Sequence, residues 1–200
     1  MQMGTGRLEA FSDGVFAIAV TLLILEVKVS GSGTLLHQLV DAWPSYAAFV
    51  VSFVMIGTMW INHHRMFHAL AVVDNTVLVA NLALLLVISF IPFPTELVSE
   101  NIAHGTTADA RTAVVFYGLT FVAVSVVFPL LWWAIVRNPS NTTPELTRKM
   151  ARDGMRRNLL GLPTYAAFTL LALVSPTISL LCFGLVAIFY LLPGRTRAET

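Results

Sequence analysis

The chain has 200 residues, of which 56% are apolar and 12% charged, and its net charge is +1. Soluble domains hold about 45–50% apolar and about 25% charged residues, so the charge deficit excludes one soluble domain although the length would allow it. Nothing in so small a net charge points to nucleic acid, and the lone Cys182 has no mate for an internal disulfide.

A bilayer core needs about 20 residues of helix. Six segments are candidates, which predicts an all-α polytopic membrane protein with one six-helix domain over 1–200. The first runs over 8–29 and stops at "SGSG" (30–33). It is not expected to be a cleaved signal, because Asp13 interrupts it and no small-residue cleavage site follows. The second covers 43–65, with Pro44 suited to a helix start. The third covers 74–93 and stops at "PFP" (92–94), leaving an outer loop at 95–111. The fourth covers 112–136, where Pro129 is expected to kink it. A hydrophilic connector, 137–158, follows, and its last part is expected to lie along the membrane surface. Segments 159–174 and 177–192 complete the set. Both are short, so the fifth is expected to begin as an amphipathic helix before Leu159.

The 12 Lys and Arg residues test this layout. With the N-terminus in the cytoplasm, Arg7, Arg65, Arg137, Arg148, Lys149, Arg152, Arg156, Arg157, Arg195 and Arg197 lie inside, and only Lys28 and Arg111 outside. That bias predicts both termini inside. The lipid bilayer is then the first partner of this chain.

An ionisable residue in a membrane helix usually faces protein and marks function. Asp13, beside Ser12, is such a residue, although an interfacial, hydrated carboxylate would also fit that position. Further along, Ile18, Leu22 and Leu25 fall four and three residues apart and share a helix face. At 1.5 Å per residue the stripe covers about 10 Å. Thr21 flanks it, and Gly14, Ala17 and Ala19 permit close helix approach. From periodicity alone the stripe reads first as an ordinary apolar face against lipid or a neighbouring helix. Glu26 has two readings, an acid near the outer mouth or a partner of Lys28.

His63, His64 and His68 invite a metal reading, but no Cys or acid nearby completes a site, and no metal is expected. The basic run at 148–157 reads as an orientation signal touching anionic headgroups. Phosphate loops, nucleophile elbows and H-E-x-x-H motifs are absent, so no enzyme is expected. T-V-G-Y-G is absent too, which excludes a carbonyl filter of that kind.

The opening motif Arg7-x-x-x-Phe11-Ser12-Asp13 resembles the R-x-x-x-F-S-D signature of the transmembrane protein 175 family, the lysosomal potassium channels and their bacterial relatives. "MWINHHRMF" (59–67), with Trp60, His63, His64 and Arg65, is similar to the end of that family's second span. The resemblance implies a pore lined by the first helix of each subunit. Ile18, five positions after the motif aspartate, would form the narrowest ring, with Leu22 and Leu25 as further apolar rings and Thr21 as a hydroxyl layer. Arg7, Phe11, Ser12 and Asp13 would pack away from the ion path and bond to Trp60, His63 and Asn81. Lysosomal members carry two six-span repeats, whereas bacterial members carry one and form tetramers, so a homotetramer is implied. Animal members have a serine where Ala17 stands, which predicts a modest preference for potassium.

The expected function is a passive, potassium-preferring cation channel of the bacterial inner membrane, with no cofactor beyond permeant ions. The alternative is a proton-coupled transporter using Asp13 or the span-two histidines. No pair of inverted halves with broken helices supports that alternative.

Overall fold

The computed structural model describes residues 5–29 and 33–191, and the regular structure among them is helical. Helix α1 (Thr5–Leu22) tightens into a 3-10 turn at Leu23–Glu26. A short α2 (Leu35–Asp41) leads into α3 (Trp43–Phe67). Then come α4 (Asn75–Phe90), α5 (Pro92–His104) and α6 (Thr107–Val136). Next are α7 (Arg148–Leu159), α8 (Gly161–Ala172) and α9 (Pro176–Leu191). Arg195, Arg197 and residues 30–32 of the expected first stop lie outside the described residues.

Local chemistry explains the helix starts. Asp74 caps α4 by accepting from the Val77 N–H at 2.9 Å. Thr106 and Asp109 form a reciprocal capping box on α6. Thr147 caps α7 by accepting from the Met150 N–H. Each side-chain oxygen satisfies an N–H that has no partner within the helix.

Four segments are long and apolar enough to cross a membrane: Thr5–Glu26, Trp43–Phe67, Asn75–His104 and Thr107–Val136. With 12 and 16 residues, α8 and α9 fall below the usual spanning length. One expectation needs correcting. "PFP" does not begin a loop. The chain turns at Ile91 and continues as α5, so most of 95–111 is helical. Pro92 and Pro94 stand in the first turn of α5, where a missing N–H costs no hydrogen bond. Helix α6 continues through Pro129 to Val136.

Lipid tails are as apolar as leucine, so membrane helices associate through packing and polar contacts. The most buried of the four long segments is α6. Around it Tyr117, Phe121, Tyr165 and Phe183 form an aromatic cluster, with ring centroids 4.7–5.9 Å apart. Close approach of α8 needs Gly118, since a Cβ there would lie 2.4 Å from Thr169 Oγ1. Hydroxyls tie α3 to α5 and α6: Ser45 meets Ser99 at 2.6 Å, and Ser52 meets Thr95 of α5 at 2.9 Å and Tyr117 of α6 at 3.1 Å. At the other end α7 lies against α6, where Trp132 Nε1 donates to the Ala151 carbonyl at 2.9 Å.

Candidate functional site

The two faces of α1 differ sharply. Leu8, Ser12, Phe16 and Ala19, continued by Leu23, are buried against the rest of the chain. An exposed face holds Ile18, 60% exposed, Leu22 at 40% and Leu25 at 67%. Thr21 is exposed beside them and donates its hydroxyl hydrogen to the Ile18 carbonyl at 2.9 Å. The 3-10 turn sharpens this stripe. Residues three apart eclipse in a 3-10 helix, so Leu25 comes into line with Leu22. Among the described residues, the chain leaves this apolar face largely uncovered.

Two polar clusters hold the buried face. In the first, Ser12 donates to the Leu8 carbonyl at 2.8 Å and accepts from Asn81 Nδ2 at 2.9 Å. Asn81 Oδ1 lies 2.9 Å from His63 Nε2. An amide oxygen only accepts, so His63 Nε2 is assigned the proton. In that tautomer the buried, unpartnered Nδ1 is an unmet acceptor rather than a donor. Phe16 and Phe67 pack on the imidazole at 5.4 and 4.1 Å.

In the second cluster, Asp13 Oδ1 accepts from Trp60 Nε1 at 2.8 Å. The Trp60 ring stacks on His64 at 5.8 Å. His64 Nδ1 lies 3.2 Å from Glu9 Oε1, and its Nε2 lies 3.1 Å from His68 Nε2. Sequence reasoning passed over Glu9, although it stands one helical turn before Asp13 and so on the same side.

Arg7 and Phe11 behave differently from Ser12 and Asp13. Phe11 is 54% exposed, and Arg7 is exposed with no ion pair among the described residues. Spacings of four and seven residues place both in line with Ile18, so within one chain they do not turn inward as the motif was expected to do. Lys28 pairs with Glu96 of α5, so its partner is not Glu26. Glu26 remains half-buried at the same end. Among the described residues no three His, Cys, Asp or Glu side chains come together as a metal site.

The model of the family described as Endosomal/lysosomal potassium channel TMEM175 matches residues 7–92, which hold α1 from its third residue on and all of α3 and α4. A potassium channel of Streptomyces collinus is 43% identical over 189 residues, covering 93% of this chain and 91% of that protein. The chain belongs to the TMEM175 family. A crystal structure described as a lysosomal potassium-selective channel TMEM175 homolog from Chamaesiphon minutus superposes with a TM-score of 0.82. It shares 37% identity over 94% of this chain and 96% of its own. A Gallus gallus relative named endosomal/lysosomal proton channel TMEM175 is 38% identical over 105 residues, covering 47% of this chain and 21% of that protein. The family match begins at Arg7, so the exposed stripe and both polar clusters of α1 lie within it.

Proposed function

We propose that this TMEM175-family chain is a passive, potassium-preferring cation channel of the bacterial inner membrane. Four copies assemble, each with six spans and cytoplasmic termini, and the first helix of each lines the pore. The observation that carries this reading is the uncovered stripe of Ile18, Leu22 and Leu25 on a helix whose other face is packed and bonded. The naming of the Streptomyces collinus and Chamaesiphon minutus relatives as potassium channels supports it.

The mechanism follows from the stripe. Four Ile18 side chains form the narrowest ring, and such a constriction gates by dewetting. Thr21 offers its hydroxyl oxygen, whose lone pairs stay free to face a cation. The half-buried Glu26 places a carboxylate from each copy near the outer mouth and raises local cation concentration. Ala17 supplies no oxygen beside the constriction, so selectivity stays modest. A transporter using Asp13 or the span-two histidines as its proton site is disfavoured, because Trp60 engages Asp13, Asn81 engages His63 and Glu9 engages His64.

Purified protein in liposomes should pass potassium down its gradient without a coupling ion. Ile18→Asn should raise the leak by about tenfold or more, which needs only ~1.4 kcal/mol off the barrier. Silence from both proteins would overturn the reading. A proton-flux arm tests whether this chain shares what the Gallus gallus relative is named for.

A further inference from the structure

A second feature lies away from the stripe. Near the C-terminal end of α3, a cavity of about 180 Å³ opens between α3, α6 and the junction of α7 and α8. Arg65 and Arg157 line it, and neither forms an ion pair among the described residues. No carboxylate shares the lining. Glu145 and Asp153 line the neighbouring cleft, which also borders both arginines. The site is therefore rich in donors. Asn62 Nδ2 donates to Asn158 Oδ1 at 3.1 Å, and both amide nitrogens also converge on Met66 Sδ at 3.8 and 3.9 Å. A thioether is a weak acceptor. Two guanidinium groups and two amides thus line a space whose own acceptors are neutral, the amide oxygens of Asn62 and Asn158 and the hydroxyls of Thr58, Ser125 and Tyr165.

We propose that this cavity binds the phosphodiester headgroup of an anionic phospholipid. Guanidinium forks match phosphate oxygens bidentately. Basic pockets between membrane helices on the cytoplasmic side suit such headgroups. The lining favours a lipid over a free anion because it changes character with depth. Of the lining residues, Arg65 and Arg157 are exposed, whereas Val124 and Phe128 are buried within the bundle. From Arg65 to Thr58, also in the lining, is about 10 Å along α3 at 1.5 Å per residue. A phosphate would sit at the arginines, with glycerol and upper acyl carbons against the apolar wall. The inference rests on the cytoplasmic placement of this end proposed above, and not on conduction.

The test uses the full chain in an uncharged detergent and reads bound lipid by native mass spectrometry and thermal shift. Phosphatidylglycerol, phosphatidylcholine and inorganic phosphate serve as probes. Wild type should prefer phosphatidylglycerol to both others. Arg65→Gln and Arg157→Gln should each weaken that binding by about tenfold, the scale of one lost charge-assisted contact. Arg152→Gln, also exposed on α7 but outside the cavity, should retain it. Equal losses in all three variants would mean general surface attraction and overturn the site. Equal affinity for inorganic phosphate would assign the cavity to a soluble anion and overturn the lipid. Should the arginine variants fail to fold, phenylglyoxal modification of wild type decides. Phosphatidylglycerol should protect Arg65 and Arg157 from it, and full reactivity in its presence would overturn the proposal. None of these readouts needs ion flux, so their failure is separable from a failure of the channel reading.

Discussion

A carboxylate inside an apolar helix is costly unless something bonds it. Asp13 meets Trp60 at 2.8 Å, and Ser12 joins Asn81 and His63 one residue away. These partners stand 47 and 69 residues off in sequence, so each ties α1 to another helix. Asp13→Ala should therefore act on assembly. We expect a loss of about 1–2 kcal/mol, the scale of one interhelical bond to a charged group, with the reversal potential nearly unchanged. Gel filtration of the variant beside bilayer recordings checks both halves. A shifted reversal potential with intact assembly would place Asp13 in the ion path instead. Asn81→Leu should do more, because it leaves the buried His63 N–H without an acceptor. A cost of about 1–3 kcal/mol should appear as earlier thermal unfolding.

At the scale of elements, the instructive case is the pair α4 and α5. Two prolines after a mostly apolar run of sixteen residues read as a stop, and they do end α4. They also suit the first turn of a new helix, and nothing local distinguishes the two outcomes. The deciding contacts are remote: Ser45 and Ser52 on α3 meet Ser99 and Thr95 on α5. The start of α4 was easier to place, since Asp74 is a strong cap residue. That carboxylate also accepts from Asn141 Nδ2 at 2.8 Å, which joins the start of α4 to the connector after α6. Asp74→Ala should lose both the cap and this brace, about 1–3 kcal/mol together. Thermal unfolding in detergent measures it, and an unchanged midpoint would show that neither contributes.

For the whole molecule, the consequence of an uncovered apolar face is association. A single copy of the Ile18 stripe encloses nothing, so conduction needs several chains. We expect the purified chain in mild detergent to have the mass of four copies by light scattering. A stable monomer would remove the pore altogether. The polar clusters stay within each chain, so their loss reaches the tetramer only through the docking of α1, a defect distinct from a change at the stripe itself. The two defects can be separated by comparing Asn81→Leu, which targets the fold, with substitutions at Leu22 and Leu25.

Membrane residence, helical class and the period of the stripe on α1 were legible in the sequence because each is a local property. Charge content, apolar run length and a repeat near 3.6 residues need no knowledge of neighbours. The family motif pointed to Ser12 and Asp13 and to the types of residue that would meet them. Tertiary structure alone decided three things. It set Arg7 and Phe11 on the exposed side with Ile18, through the rotation at which α1 docks. It gave Lys28 to Glu96 instead of Glu26, because α5 folds back to that end. It also gathered Arg65, Arg157, Asn62 and Asn158 around one cavity, from helices about ninety residues apart. Such placements depend on which helix faces which, and in a bilayer that choice comes from packing and polar contacts between helices, which local hydrophobicity does not encode.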